Sequence, residues 1–152
     1  MKEVFPTVAV QEALEKNGIP RKEASKVLAD AIWKETEGNA KWMTLGIKVT
    51  GIYRKVPKMF ISSLESGFSR DMGFDYKIYD TGKNRGKFDM LKCPYHDYFT
   101  KLGYPELTDI FCTNDDIEDG RMHPKLIWAR TKTLGRGGDC CDFDIYYEPE
   151  KK

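Results

Sequence analysis

The sequence has almost no excess of charge of either sign: 25 Lys and Arg oppose 24 Asp and Glu, which leaves a formal net charge of +1. A protein that binds nucleic acid usually has a strong basic excess. The chain also lacks an apolar run of the roughly 18 residues that a membrane-spanning helix needs, and its first residues lack the apolar core of a signal peptide. We therefore expect a soluble cytoplasmic protein without a nucleic-acid or membrane partner.

Cysteine and histidine are scarce. Four cysteines and two histidines in 152 residues are too few for the disulfide framework of a small secreted domain. A chain of this length can bury a core without disulfides or metal ions. We therefore expect one domain over residues 1–152, whose cysteines are free thiols, metal ligands or catalytic groups.

Apolar residues at helical spacing predict three helices in the first half of the chain. The first covers residues 7–16, and the second begins at Pro20 and ends or kinks near Gly38. Residues 46–51 are expected to form a connector or a short strand. A third helix begins at Pro57. The side chains that its periodicity turns towards the core are those of Phe60, Ile61, Leu64, Phe68 and Met72.

The apolar period then changes to two, which is typical of strands. Residues 74–78 and 87–92 are predicted to form one antiparallel hairpin, and residues 125–134 and 140–147 a second. The predicted fold class is α+β, with about four mostly antiparallel strands packed with N-terminal and central helices. Residues 1–55 would be the helical part of the domain and residues 56–148 its α+β part.

The first group of residues suited to chemistry is Cys93-Pro94-Tyr95-His96. If Pro94 is the first residue of a helix, Cys93 is its N-cap, where free N–H groups and the helix dipole favour a thiolate. His96 would then lie where a side chain can reach back to the cap. A Cys–His pair of this kind suits nucleophilic catalysis. The alternative is a packed cysteine at a strand end and a half-exposed histidine.

Two further cysteines are placed by periodicity. Cys112 lies beside the apolar stripe of a helix that Pro105 begins, close to Thr108 and Asp115. It is either part of a site or a partly buried structural thiol. In the last strand, alternation places Cys141 on the face that meets an interior site and Cys140 on the opposite face.

Arg130 is predicted to lie in the middle of a strand, on an apolar face. A guanidinium there needs either an internal carboxylate partner or an anionic ligand. The glycine-rich residues 135–138 lie between two strands. They read as a hairpin turn, because a phosphate loop would be followed by a helix.

A metal site is the alternative use of the thiols. Three thiolates and one imidazole would suit structural zinc, with iron as the other candidate ion. The ligands would be Cys93, His96, Cys112 and Cys141. Two of them are single residues on separate elements, whereas zinc modules usually present paired ligands.

Three groups of residues, in this order and spacing, resemble the L-2-amino-thiazoline-4-carboxylic acid hydrolase family. The first is Cys93-Pro94-Tyr95-His96, followed by Gly103-Tyr-Pro-Glu-Leu107 and Phe111-Cys-Thr-Asn-Asp115. The second is Ala129-Arg-Thr-Lys-Thr-Leu134, and the third is Cys141-Asp142-Phe143. The resemblance covers about residues 55–147.

This resemblance implies a hydrolase that opens the ring of a 2-aminothiazoline carboxylate in cysteine-related metabolism. Its catalytic residues would be Cys93, His96 and Cys112, with Cys93 attacking the amidine-like carbon and His96 moving protons. The substrate-binding residues would be Arg130, Asp115, Asp142 and Cys141. In this interpretation Arg130 holds the carboxylate, and one of the two aspartates faces the amidine nitrogen. No cofactor is assured by the resemblance, and the thiols could instead bind a metal that activates water.

Two other functional classes remain open at the level of sequence. One is a non-catalytic sensor domain that binds a metal or a small molecule through the same cysteines and His96. The other is a structural domain whose thiols have no chemical role. Metal analysis with thiol titration, followed by a turnover assay, would separate these classes from a hydrolase.

Overall fold

The computed structural model describes residues 2–148 and contains five α-helices and four strands in that range. The helices are α1 (Val4–Lys16), α2 (Arg21–Thr50), α3 (Val56–Gly67), α4 (Pro94–Lys101) and α5 (Leu107–Asp119). The strands are β1 (Asp75–Tyr79), β2 (Arg85–Lys92), β3 (Ile127–Trp128) and β4 (Cys141–Tyr146). Single 3-10 turns cover Ile52–Lys55, Arg70–Met72 and Leu134–Arg136. All strand pairs are antiparallel in the order β1-β2-β4-β3, which confirms the predicted α+β class.

Helix α2 runs unbroken for 30 residues, so the predicted stop near Gly38 and the connector at 46–51 are wrong. A glycine inside a helix costs about 1 kcal/mol relative to alanine, and contacts with α5 offset this cost. Trp33 donates to the carbonyl of Ile110 at 2.9 Å, and Thr36 lies 3.0 Å from the side-chain oxygen of Asn114. The helix ends at Gly51, whose φ of 64° suits only glycine without strain.

Helix α3 is shorter than predicted. It ends at Gly67, and the separate 3-10 turn that follows leaves Phe68 and Met72 exposed rather than in the core. Of the predicted stripe, Leu64 is buried as expected, with only 2% exposed, and Phe60 and Ile61 are half-buried against the sheet cluster. Gly86 on β2 permits this packing, because a Cβ there would lie 2.5 Å from the carbonyl oxygen of Pro57.

The predicted strand at 125–134 is reduced to the two residues of β3. Beyond Trp128 the chain stays beside β4, with backbone hydrogen bonds from Ala129 N–H to the carbonyl of Asp144 and from Asp142 N–H to the carbonyl of Lys132, but the regular ladder ends. The carboxylate of Asp142 replaces part of the strand pairing, because it accepts the backbone N–H groups of Thr131 and Lys132 at 2.9 and 2.8 Å. Residues 129–138 therefore form a loop between the sheet and α5, and we call them the connecting loop.

Three apolar clusters hold the layers together: a small one around Val56, Leu126 and Ile145, and two larger ones. One joins α1, α2, α4 and α5 and is centred on the fully buried Val4, Phe99 and Leu107. The other joins α3 to one face of the sheet, where Phe88 and Phe143 stack with ring centroids 4.6 Å apart. A cavity lies where the two clusters meet. Across residues 2–148, none of the helices combines the length and the apolar character that a membrane crossing requires.

Candidate functional site

The cavity has a volume of about 360 Å³ and lies between α3, the face of the sheet and α5. This volume falls in the range of small-molecule sites. Its apolar wall consists of Phe60, Leu64, Phe68, Phe74, Phe88, Met90, Phe111 and Phe143. Its polar wall consists of Glu3, Ser63, Cys93, Tyr95, Thr108, Cys112, Asn114, Asp115, Glu118, Asp119 and Cys141.

Helix α5 supplies the polar centre of this wall. Thr108, Cys112, Asp115 and Asp119 follow the spacing i, i+4, i+7 and i+11, so they form one stripe that faces the cavity. The structure places Cys112 on the same face of α5 as Thr108 and Asp115, as the helical spacing predicted. The Oγ1 atom of Thr108 is buried and has no hydrogen-bond partner among residues 2–148.

Hydrogen-bond donors from β4 and the connecting loop surround the sulfur of Cys112. The thiol of Cys141, the hydroxyl of Thr133 and the backbone N–H of Gly135 donate to a Cys112 thiolate, and the charge of Arg130 adds to their effect. Together they outweigh the opposing effect of burial and lower the pKa of Cys112 below its ordinary value. Of the two cysteines, Cys112 is therefore the one that ionises more readily.

Cys141 is the proton donor of that pair. Its pKa is raised, first by its hydrogen bond to Cys112 and then by burial. Its own sulfur accepts the backbone N–H of Leu134 at 3.2 Å, which fixes the sulfur against the connecting loop. Alternation along β4 had placed Cys141, and not Cys140, on the inner face. Cys141 lines the cavity and Cys140 does not.

Cys93 is the N-cap of α4 with extended backbone angles, and it also lines the cavity. Burial raises the pKa of its thiol to about 11, because desolvation outweighs the N–H groups of His96 and Tyr95. This direction is opposite to the one expected for a cysteine at a helix start. His96 is not among the described residues that line the cavity, and its Nδ1 atom is buried without a hydrogen-bond partner.

Two carboxyl groups on the α5 stripe have raised pKa values. Burial raises the pKa of Asp115 to about 7, although Arg130 opposes the change, and it raises that of Asp119 to about 8. Asp115 lies in the wall of the cavity, and 43% of its side-chain surface is accessible. Because it lines the cavity, this surface is open to a ligand. Both groups can therefore hold or release a proton near neutral pH.

Arg130 lies behind the cavity wall and is not among the described lining residues. Its side chain is 1% exposed and contacts Asp115 at 3.0 Å and Asp116 at 2.6 Å. It also donates to the carbonyl of Cys112. This is the internal ion pair that the sequence left open as the alternative to an anionic ligand. Arg130 therefore positions Cys112 and Asp115.

Asp142 lies away from the cavity, on the opposite face of β4 from Cys141. Its carboxylate accepts hydrogen bonds from the connecting loop and so holds the loop in shape. The proposed metal ligands are not arranged as a site either. Residues 2–148 contain no group of three or more His, Cys, Asp or Glu side chains that could hold a metal ion.

Sequence reasoning placed Thr108 beside Cys112 but missed Thr133, Gly135 and Asp119. Extending the α5 spacing by one turn beyond Asp115 would have found Asp119. Thr133 and Gly135 had no such pattern, because their contacts with Cys112 depend on how the connecting loop packs against α5. A Cβ on Gly135 would lie 3.0 Å from the sulfur of Cys112 and 2.9 Å from Cγ2 of Thr108.

Neither a curated protein nor a solved structure gives a significant match to this chain. The family model described as L-2-amino-thiazoline-4-carboxylic acid hydrolase matches residues 1–145. This match includes α1 and α2, which lie outside the motifs that carry the resemblance in the sequence. With nearly the whole chain covered, the protein belongs to the L-2-amino-thiazoline-4-carboxylic acid hydrolase family.

Proposed function

We propose that the protein is a thiol-dependent hydrolase that opens a 2-aminothiazoline-type ring, with Cys112 as its nucleophile. The observation that carries this proposal is the group of donors around the Cys112 sulfur at the wall of a ligand-sized cavity. A thiolate near neutral pH is the reactive form of cysteine. The family name describes a hydrolase that acts on such a ring.

The chemistry begins at the amidine-like carbon between the ring sulfur and the ring nitrogen. The Cys112 thiolate forms a bond to this carbon, and the displaced electron pair goes to a nitrogen that takes a proton from Asp115. The nitrogen lone pair then expels the ring sulfur as a thiolate, which opens the ring and leaves an S-linked isothiourea on Cys112. Water attacks the same carbon and gives one proton to the Asp115 carboxylate. The bond from the carbon to Cys112 then breaks, the second proton of the water passes to the released ring thiolate, and a urea-type product and the Cys112 thiolate are formed.

Asp115 suits the role of proton carrier because it lies one helical turn from Cys112 on the same stripe. Its pKa of about 7 allows it to donate a proton to the nitrogen and later to accept one from water. Cys141 would donate to the sulfur in its resting state, and Arg130 would position both Cys112 and Asp115 from behind.

Cys93 and His96, which the sequence favoured as nucleophile and proton carrier, have less support for these roles. The pKa of Cys93 is raised to about 11, so its thiol is protonated at neutral pH. Cys93 remains a wall residue that can contact a bound ring.

The test compares Cys112→Ser, Cys93→Ser and Cys140→Ser, with release of the ring thiol as the readout. Cys140 is the matched control because it is buried and lies outside the cavity lining. We expect Cys112→Ser to lose at least about 100-fold in kcat/KM, and Cys140→Ser to retain wild-type activity. Cys93→Ser should change KM more than kcat. Loss of turnover in Cys93→Ser with normal turnover in Cys112→Ser would overturn the assignment.

A further inference from the structure

Helix α2 carries a mostly apolar stripe on the side that faces away from the core. At 3.6 residues per turn, the stripe occupies a sector of about 80° and runs for about 33 Å along the helix. Its residues, all of them exposed, are Val27, Ala31, Lys34, Gly38, Trp42, Leu45 and Val49. The buried residues Thr36 and Ala40 lie on the opposite side of the helix. We call this surface the α2 stripe.

The large apolar residues of the α2 stripe are strongly exposed. Their exposed fractions are 76% for Trp42, 78% for Val49, 52% for Leu45 and 48% for Val27. Single exposed apolar residues are common on protein surfaces, whereas a contiguous apolar strip marks a contact surface. At Gly38, in the middle of the stripe, an added Cβ would meet no described atom within 4 Å. The helix backbone itself is therefore open to a neighbour at this point.

The α2 stripe is complementary to itself when two helices run antiparallel. In a dimer with a two-fold axis at Gly38, residues at equal distances before and after Gly38 lie opposite each other. Val49 then packs against Val27 of the second copy, and Leu45 packs against Ala31 of the second copy. Each of these layers pairs two apolar side chains, and the symmetry repeats it on the other side of the axis.

Lys34 is the charged residue within the stripe, and the antiparallel arrangement gives it a partner. It lies opposite Trp42 of the second copy, where its alkyl stem covers the indole ring and its ammonium group contacts the ring face. A parallel dimer would instead bring the two copies of Lys34 together at the centre of the interface. The composition of the stripe therefore favours the antiparallel arrangement.

The charges along one edge of the α2 stripe favour the same arrangement. This edge is acidic in its first half, at Asp30 and Glu37, and basic in its second half, at Lys41 and Lys48. In the antiparallel dimer the same edges of both copies run side by side in opposite directions. Asp30 therefore approaches Lys48 of the second copy, and Glu37 approaches Lys41 of the second copy. Glu37 is also bonded to Arg121 of its own chain, so Asp30 and Lys48 are the better pair for a charge exchange.

The size of the α2 stripe corresponds to a dimer of moderate stability. The exposed Trp42 alone offers on the order of 150 Å². Two copies of the face would bury on the order of 1,000 Å² in total, which is near the lower end of specific interfaces. We therefore expect the dimer to form at micromolar rather than nanomolar protein concentrations.

We propose that the protein forms a two-fold symmetric dimer in which the α2 stripes of two copies pack antiparallel around Gly38. None of the stripe residues is among the described residues that line the cavity. The inference therefore goes beyond the proposed hydrolase activity and does not depend on it.

The first experiment measures self-association of the full-length protein by analytical ultracentrifugation from micromolar to sub-millimolar concentrations. We expect the wild type to reach a dimer and Trp42→Glu to raise the dimer Kd at least about tenfold, because a charge then enters an apolar layer. Met59→Glu is the matched control, since Met59 is 54% exposed on α3 and lies outside the stripe. It should associate like the wild type. A monomeric wild type, or equal behaviour of the two variants, would overturn the inference.

The second experiment tests the antiparallel register by exchanging charges between two variants, Asp30→Lys and Lys48→Glu. Each variant alone places like charges at both edge contacts of its own dimer, and its Kd should rise at least about fivefold. An equimolar mixture should associate about as tightly as the wild type, because both contacts between unlike variants join opposite charges. A mixture that associates no more tightly than either variant alone would contradict the register.

A membrane surface is the other occupant that an exposed apolar stripe can have. Vesicles of phosphatidylcholine and phosphatidylglycerol are added to the wild type, and its tryptophan emission is recorded. We expect no vesicle-dependent shift. A blue shift that is lost in Trp42→Glu, together with monomeric sedimentation of the wild type, would assign the stripe to a membrane and overturn the dimer.

Discussion

The sulfur atoms of Cys93 and Cys112 line the same cavity and differ in what surrounds them. Cys93 has the N–H groups of a helix start but is strongly desolvated, which raises its pKa to about 11. Cys112 receives donors from Cys141, Thr133 and Gly135, with Arg130 behind it, which lowers its pKa. The pKa values of the two thiols therefore shift in opposite directions within one cavity, and Cys112 is the thiol that ionises more readily.

The rate of alkylation by iodoacetamide should follow this difference. The rate at Cys112 should rise at a lower pH than that of an ordinary cysteine, as its thiolate forms, and the rate at Cys93 should rise only near 11. Thr133→Val removes a hydrogen bond that stabilises the thiolate by on the order of 1 kcal/mol, so the Cys112 midpoint should move to higher pH. Peptide mass spectrometry at a series of pH values measures both sites.

Thr133→Ser is the control for that variant. Serine keeps the hydroxyl, which also accepts the backbone N–H of Arg136 at 3.2 Å. Its Cys112 midpoint should therefore stay close to that of the wild type. Identical midpoints in all three proteins would show that the Thr133 hydroxyl does not act on Cys112.

We expect any side chain at position 135 in place of Gly135 to destabilise the fold. In Gly135→Ala the new methyl group would lie 3.0 Å from the Cys112 sulfur and 2.9 Å from Thr108. We expect a loss of about 1–3 kcal/mol in the free energy of unfolding, together with reduced Cys112 reactivity. Gly38→Ala is the control, because no atom lies within 4 Å of its new Cβ. That variant should gain up to about 1 kcal/mol, and denaturant unfolding measures both. A neutral Gly135→Ala would contradict the close approach.

At the level of single residues, helical and strand periodicity could predict part of the candidate site. It placed Cys112 near Thr108 and Asp115 and assigned Cys141 to the inner face, since both conclusions need only helical or strand geometry. It could not predict that Cys112 rather than Cys93 is the thiolate. That difference depends on burial and on Thr133 and Gly135, which reach Cys112 only through tertiary packing.

At the scale of elements, the connecting loop and α5 act as one unit. Arg130 and Arg136 bond to Asp109, Asp115 and Asp116 on α5, and Asp142 holds the loop from the side of β4. These contacts place the loop donors around Cys112. The shape of the loop thus depends on ion pairs with α5 as well as on hydrogen bonds with β4.

Arg130→Met should therefore disrupt this unit. It leaves two partly buried carboxylates without their shared cation, and we expect a loss of roughly 3 kcal/mol in the free energy of unfolding. Arg121→Met is the matched control, since Arg121 is 58% exposed and pairs with Glu37 at 2.9 Å. An exposed pair contributes less than about 1 kcal/mol. Chemical denaturation compares the two variants, and equal losses would contradict a special role for Arg130.

The elements themselves were predictable where the local pattern was strong. The hairpin of β1 and β2 was predicted correctly because both strands alternate clearly. Helix α2 was predicted too short, because its contacts with α5 support Gly38. The strand at 125–134 was predicted too long, because the carboxylate of Asp142 competes with the ladder for the N–H groups of residues 131 and 132.

At the scale of the whole molecule, the cavity lies between two apolar clusters that no single part of the chain forms alone. Glu3 from the start of α1 lines it, together with residues from α3, α5 and the sheet. The family match over residues 1–145 likewise includes this N-terminal part of the chain. Strand alternation and helical spacing could identify the residues of each cavity wall. They could not predict the cavity itself, because it forms only where the walls pack together.

The most direct test of this account is to trap the covalent intermediate. The wild-type protein is mixed with excess 2-amino-2-thiazoline substrate and quenched in acid within the first turnover, and its mass and peptides are then measured. We predict a mass gain of one whole substrate molecule, located on the peptide that contains Cys112 and missing in Cys112→Ser. An adduct on Cys93, or wild-type turnover by Cys112→Ser, would contradict Cys112 as the nucleophile.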